Sequence, residues 1–255
     1  MRTWALVTGA TAGIGECFTR LLAANNYNIV LVARDLPRLH ERAKSIQSTY
    51  GVEAVVIQAD LSTVEGCALI ENYIATHEID VLINNAGFGI KKAFTVSELD
   101  TEQNLLDVLV RTPMRLMHVA LEGMKLLDKG IIINVSSVAG FMAGGTYSAS
   151  KSYLTVLSES LHTELSGTKV KICALCPGFT RTEFHQRGRM SMKGLPSFMW
   201  LNADTLVERA WLDALKGKAI SIPGRQYQVL TFIMKYAPRR LVRKIGMKVR
   251  VKQRK

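Results

Sequence analysis

After Asp213 this 255-residue chain has no acidic residue, although positions 214–255 carry thirteen Lys and Arg. The first 213 residues hold 20 basic and 21 acidic side chains, so the formal net charge of +12 belongs entirely to the tail. A nearly neutral body excludes a charge-driven role for the main part of the chain. Cysteine is scarce as well. Of the four, Cys173 and Cys176 form a C-x-x-C, but inside a β-type run, Val170–Cys176, with no second pair of ligands. That reads as buried reduced thiols rather than a zinc or redox site. The five histidines show no metal-ligand spacing, so no metal is expected. No apolar stretch is long enough to span a bilayer. The N-terminus enters a strand at once and leaves no room for a signal peptide, which predicts a cytoplasmic protein. No low-complexity linker divides the chain.

About half the residues are apolar, enough for a sizeable core, and the length suits one large α/β unit. Short apolar runs alternate with longer helix-like segments, the pattern of a parallel sheet covered on both faces. The runs predict strands at Ala5–Thr8, Asn28–Ala33, Glu53–Gln58, Val81–Asn84, Gly130–Val135, Lys169–Leu175 and Ala219–Ile222. Helices are expected at Gly15–Asn25, Leu36–Tyr50, Thr63–Thr76, Thr101–Leu127 and Tyr147–Ser166. The fold class is therefore a doubly wound, Rossmann-type parallel sheet of about seven strands in a single domain over residues 1–225, with a basic tail over 226–255.

Between the first strand and first helix lies Gly9-Ala10-Thr11-Ala12-Gly13-Ile14-Gly15. Glycines there let the backbone approach a pyrophosphate, and the helix N-terminus offers unpaired N–H groups. The spacing is G-x-x-x-G-x-G rather than the commoner G-x-G-x-x-G. Arg34 ends the second strand, where NAD-binding folds place an acidic residue for the ribose. A guanidinium at that point suits a 2′-phosphate and favours NADP(H); a solvated strand-end arginine is the bland alternative. Asp60-Leu61 ends the third strand, where a carboxylate and a backbone N–H could meet an adenine. Asn84-Asn85-Ala86-Gly87 ends the fourth, beside the switch point of such a sheet. Small residues there admit a nicotinamide ribose, although one of the two asparagines reads equally well as a bridge between strands.

Tyr147 and Lys151, four apart, share one helix face. A phenol titrates near 10, and an adjacent ammonium lowers that value toward the range of a useful proton shuttle. Ser136 and Ser137 end the strand upstream, and either hydroxyl could steady the same substrate oxygen.

These residues together resemble the short-chain dehydrogenase/reductase family. The likeness rests on T-G-x-x-x-G-I-G at Thr8–Gly15, N-N-A-G at Asn84–Gly87, Ser137 before Tyr147 and Lys151, and Pro177-Gly178 with Thr182 beyond. It covers roughly residues 3–225. The resemblance implies that Tyr147 is the general acid/base and that Lys151 binds the nicotinamide ribose. It implies that Ser137 positions the carbonyl and that Pro177, Gly178 and Thr180 pack near the carboxamide. It also implies strand order 3-2-1-4-5-6-7 and a homo-oligomer. Two departures stand out. Counting back from Gly123-Met124 and Pro113, Leu109 occupies the position of the family's relay asparagine, and leucine cannot hold a helix kink open for water. The ten-residue step from Ser137 to Tyr147 is shorter than the family's usual interval.

Residues 183–202 correspond to the family's variable substrate lid. Phe184, Met190, Met192, Leu195, Phe198, Met199 and Trp200 suit an apolar substrate, or dock the lid on the body. His185, Arg187, Arg189 and Lys193 are interleaved and read as solvated. Arg239–Ile245 mixes apolar and basic residues at helical spacing. Such a tail fits peripheral contact with an anionic membrane; a solvated tail is the plain alternative, and nucleic acid is disfavoured because no recognition motif is present. The sequence thus points to an NADP(H)-dependent oxidoreductase acting on a carbonyl or alcohol. The competing reading is a catalytically weak NADP(H)-binding regulator or scaffold. A sugar epimerase of the extended type is opposed by the glycine spacing.

Overall fold

The computed structural model describes residues 3–184 and 195–254. Met190, Met192, His185, Arg187, Arg189 and Lys193 lie outside the described residues. Seven strands, β1 (Trp4–Thr8), β2 (Asn28–Ala33), β3 (Ala54–Gln58), β4 (Val81–Asn84), β5 (Gly130–Val135), β6 (Val170–Leu175) and β7 (Ile220–Ser221), form one sheet in the order β3-β2-β1-β4-β5-β6-β7. Every pairing is parallel. Helices α1 (Gly13–Ala24), α2 (Leu36–Tyr50), α3 (Val64–Thr76), α4 (Leu99–Leu106), α5 (Thr112–Leu126) and α6 (Thr146–Glu164) are interleaved with them, followed by α7 (Ala203–Leu215), α8 (Arg225–Tyr236) and α9 (Arg239–Arg254). The apolar runs read as strands because both sheet faces are covered. On one face Phe18, Leu22, Leu39, Ala210 and Trp211 pack on β1, β2 and β5. On the other, Ile70, Leu116, Met117 and Leu154 do the same.

The chain leaves β1 toward β2 and β3 on one side and returns to β4 on the other. The carboxyl ends of β1 and β4 therefore frame a crevice, the place where ligands bind in open α/β sheets. Two elements differ from the sequence reading. The helix expected over 101–127 is α4 and α5 joined by a wide π turn, Asp107–Arg111. Helix α7 was not anticipated, although Ala203, Leu206, Val207, Ala210, Trp211 and Ala214 recur at helical spacing on its buried face. Asn202 caps it by accepting from Thr205 N at 3.1 Å.

The tail is helical and seated on the body. Tyr227 of α8 is fully buried, its hydroxyl accepting from Phe179 N at 2.9 Å and donating to the Met199 carbonyl at 2.6 Å. Only glycine fits at 178, since a Cβ there would lie 2.0 Å from the Tyr227 ring. Helix α9 is anchored by buried Val242 and by Gly246, whose missing Cβ would sit 2.5 Å from the Ala143 carbonyl oxygen.

Tyr227→Phe keeps the ring but strands one buried donor and one buried acceptor, a loss of about 1–3 kcal/mol. A melting temperature lowered by several degrees is expected in calorimetry, at roughly 2–4 °C per kcal/mol for a chain of this size. An unchanged melt would show that α8 is held by apolar contact alone.

Candidate active site

The crevice is built by two loops tied together. Gly9 turns the chain out of β1 with φ +65° and donates to the Val32 carbonyl at 2.8 Å. Thr8 Oγ1 accepts from Asn85 N and Ala86 N at 2.9 and 3.0 Å, while Asn85 Nδ2 donates to the Thr8 carbonyl at 2.8 Å. A Cβ at Gly15 would lie 2.3 Å from both Asn85 Nδ2 and the Gly9 carbonyl oxygen, so only glycine lets the loops close. Helices α2 and α3 are capped by the side chains of Asp35 and Thr63, whereas Ala12 at the start of α1 offers no side-chain acceptor. The first N–H groups of α1, from Gly13, Ile14 and Gly15, thus open on the crevice beside buried Thr11. This cradle fits a phosphate.

Of the two asparagines, Asn84 is the bridge. Its Nδ2 donates to Asn134 Oδ1 at 2.9 Å, joining β4 to β5. Asn85, which the sequence reading left among its neighbours, is the residue that clamps the glycine loop.

At the outer end, Arg34 is largely exposed and stands 3.9 Å from Asp60 Oδ2. Asp60 Oδ1 accepts from Ser62 N and Ser62 Oγ at 3.0 and 2.8 Å. Burial works to raise the Asp60 carboxyl, but these hydrogen bonds and the Arg34 charge outweigh it and hold it below the usual range. Leu61 is buried, and its carbonyl accepts from Thr112 Oγ1 at 2.8 Å. Arg38, which no motif singled out, grips Glu183 with both terminal nitrogens at 2.8 and 3.1 Å. The residues either side of Glu183 also reach the site. Thr182 backs onto Gly13, and the Phe184 ring lies 6.0 Å from that of Tyr147.

At the inner end, α6 begins at Thr146 and presents Tyr147 and Lys151 one turn apart. Lys151 Nζ sits 5.8 Å from the Tyr147 ring centroid and donates to the Val135 carbonyl at 2.6 Å. Lys151 is 4% exposed. Burial lowers its ammonium to about 8, against a smaller opposing effect of Cys176. An ammonium has three donors; among the described residues only Val135 accepts from it, which leaves donors suited to a sugar hydroxyl.

Burial separates the two serines. Ser136 is 1% exposed, donates to the Lys151 carbonyl at 2.7 Å and shares a 2.7 Å bond with Thr155 Oγ1. It holds α6 to the strand and cannot reach a ligand. Ser137 is half-buried, accepts from Ala139 N at 3.1 Å and lies 3.5 Å from the Pro177 carbonyl oxygen. The short segment to Tyr147 closes because Val138–Phe141 forms a 3-10 turn and Gly140 backs directly onto the α6 backbone at Lys151 and Ser152. On the far side of Pro177 come Gly178, under the Tyr227 ring, and buried Thr180, whose hydroxyl donates to the Gly178 carbonyl at 3.1 Å.

Leu109 lies in the π turn, so the helix widens there without an asparagine. The leucine itself fills the opening. It is 1% exposed, packs with Ile90, Leu105 and Val108, and has Ala86 and Tyr147 against that cluster. A Cβ on Gly87 would come within 2.8 Å of Leu109 Cδ2 and 4.0 Å of Lys151 Nζ. Behind it, between Leu109, Asn84, Thr112 and Lys151, a cavity of about 10 Å³ leaves room for a single water. The four cysteines are all buried and unbridged. Burial raises Cys173 to about 12 and Cys176 to about 11, which keeps both as thiols.

The seven-stranded parallel sheet with the glycine turn at its switch point is a Rossmann-type α/β fold. The chain belongs to the short chain dehydrogenase family, whose model matches residues 3–192. It is 32% identical over 213 residues to hydroxysteroid dehydrogenase-like protein 1 of Gallus gallus, a match covering 81% of this chain and 64% of that protein. It is 31% identical to the NADP-dependent 3-hydroxy acid dehydrogenase YdfG of Salmonella typhi, over 81% of this chain and 86% of the relative. A short-chain dehydrogenase from Sphingobium yanoikuyae, solved in complex with NADPH, superposes with a TM-score of 0.84 at 28% identity, covering 91% of this chain and 93% of that one. The chain spans just under two thirds of the chicken relative.

The buried ammonium has a cost that pH exposes. Below about pH 8 Lys151 is charged in both folded and unfolded states, so folding carries the full desolvation penalty. From about 8 to its ordinary 10.5 the folded state gives up the proton first, and this contribution to stability rises with pH. Lys151→Met therefore gains stability over the parent at pH 7, by up to about 3 kcal/mol. Urea unfolding of the two proteins should show that gain shrinking toward pH 10; a difference that stays constant would contradict a penalised charge.

Proposed function

We propose that the protein is an NADP(H)-dependent oxidoreductase that interconverts a carbonyl and an alcohol on an apolar small molecule. The observation that carries this reading is the Tyr147–Lys151 turn: a phenol and a buried ammonium at the switch point, one loop away from the phosphate cradle of α1. A nicotinamide dinucleotide bound along the crevice supplies the hydride in one direction and accepts it in the other. The chain's own residues do the rest. The α1 N-terminus and the Gly9–Gly15 loop hold the pyrophosphate. Lys151 turns its remaining donors toward the nicotinamide ribose and, while charged, favours the phenolate of Tyr147. Tyr147 passes a proton to or from the substrate oxygen, and Ser137 donates a hydrogen bond to that same oxygen. Pro177, Gly178 and Thr180 line the carboxamide side, with Ala86 and Gly87 opposite. Asp60 and Leu61 flank the adenine, and Asn84 contributes through its backbone.

Two observations support the 2′-phosphorylated cofactor. Arg34 is exposed at the tip of β2 with a single distant carboxylate partner, and relatives with NADP or NADPH in their descriptions share the fold. The apolar substrate is supported by Phe184 beside Tyr147. Trp200 packs on Phe179 and Arg181, which fits docking on the body, and the Met199 backbone carbonyl is held by Tyr227.

A second reading is favoured by Leu109. With the π turn plugged by an apolar side chain, the inner route for a proton past Lys151 is closed, as in a protein that binds NADP(H) but turns over poorly. One experiment separates the readings: NADPH oxidation followed against ketones of graded chain length. On the first reading the parent is active, and Tyr147→Phe lowers kcat by roughly 100- to 10,000-fold while NADPH still binds. A Tyr147→Phe variant with parental turnover sinks it. An inactive parent that gains turnover as Leu109→Asn establishes the second.

Cofactor choice has its own test. Arg34→Ala is expected to weaken NADPH binding by about tenfold or more, the value of a lost charge-assisted pair, and to leave NADH binding unchanged. Equal losses for both cofactors would remove Arg34 from the recognition of the 2′-phosphate.

A further inference from the structure

Helix α8 has two apolar faces. One holds Tyr227, Thr231 and Met234, all buried against the body. The other carries Val229, Phe232, Ile233 and Tyr236, each more than half exposed. Their spacing, i, i+3, i+4 and i+7, makes a continuous ridge pointing away from the protein. Phe232 and Tyr236 stack within it at 4.8 Å, and exposed Phe198 adjoins its start, where Gln226 Nε2 donates to the Phe198 carbonyl at 3.0 Å. Exposed apolar groups at this density mark a contact surface.

Helix α9 follows α8 after two residues, Ala237 and Pro238. Its inner side is fixed by Val242 and Gly246, and Arg239, Arg240, Arg243 and Lys244 are exposed. Among the described residues no carboxylate pairs with them. The two helices therefore present a ridge of large apolar groups edged by uncompensated cations.

We infer that α8 and α9 form an interfacial platform that seats the protein on an anionic lipid surface. The Val229–Tyr236 ridge enters the headgroup boundary, and the α9 guanidinium and ammonium groups meet the lipid phosphates. Charge decides between occupants. A second copy of this chain placed symmetrically on the same face would set two clusters of basic side chains against each other. Nucleic acid would satisfy the cations but leave the ridge in water. An anionic bilayer satisfies both halves of the surface. Among the described residues no helix is long and apolar enough to cross a membrane, so the contact is peripheral.

The position adds a consequence. Gly246 rests on Ala143, between Ser137 and Tyr147, and Tyr227 rests on Gly178, directly after Pro177. The inner faces of the two helices thus pack on segments that build the wall of the cleft. The surface itself stands independently of the reductase reading.

Flotation of the full chain with vesicles tests it, comparing pure phosphatidylcholine with an equal mixture of phosphatidylcholine and phosphatidylglycerol. The protein should float with the anionic vesicles and not with the neutral ones, and should be released by high salt. Arg240→Glu combined with Arg243→Glu should weaken vesicle binding by roughly tenfold or more. Phe232→Ser combined with Ile233→Ser should weaken it severalfold at low salt. Both pairs are exposed, and an unchanged melting temperature verifies the fold. Equal partition onto neutral and anionic vesicles would overturn the proposal, as would undiminished binding of either variant. Sedimentation showing a parental dimer that the serine variant dissolves would assign the ridge to a second copy instead. Retention of RNA by a chain that ignores the vesicles would assign the cations to nucleic acid.

Discussion

The bond from Lys151 Nζ to the Val135 carbonyl, 2.6 Å long, is the constraint around which this site is arranged. It places a charge where solvent does not reach, at the junction of β5, β6 and α6. Burying an ammonium is unfavourable unless its donors are used, and a single carbonyl uses one of three. The surroundings hold the lysine there all the same. Ser136 fastens the Lys151 backbone from one side and Gly140 abuts it from another. Tyr147 is fixed one turn away in consequence.

Most of this was legible in the sequence for a simple reason: its signals are local. Parallel strands covered on both faces read as unbroken apolar runs, and the Gly9–Gly15 loop and the Tyr147–Lys151 spacing each lie within a single element or turn. What the sequence hid is tertiary. Arg38 and Glu183 are 145 positions apart, and Tyr227 reaches Phe179 across 48; neither pairing leaves a trace in spacing. Ser136 and Ser137 are chemically identical neighbours, and only the alternation of the strand decides that one lies under α6 and the other at the mouth. The tail read as basic and amphipathic, but a composition argument could not show that α8 carries a second apolar face.

The π turn at Asp107–Arg111 shows the opposite failure. From the sequence, a leucine at 109 cannot hold a helix kink open for water. The helix is open, and the opening is filled. A π turn can be stabilised by what packs into it, and Ile90, Leu105 and Val108 make a dry cluster that receives the leucine as well as a water site would receive an amide. Geometry has been kept while its chemistry has changed.

That change bears on where a proton can travel. On the inner side, Leu109 sits between the helix opening and Lys151, and the remaining cavity holds a single water in mostly apolar walls, too little for a relay. The outer side is the cleft, bounded by Phe184, the Val138–Phe141 turn and the loop on which α9 rests. On the proposed reading, a proton exchanged by Tyr147 passes through the same opening that admits the substrate. Proton delivery and substrate entry then share one gate. With the inner route filled by Leu109, the proposed reading leaves the cleft as the one path for both the substrate and the proton of Tyr147.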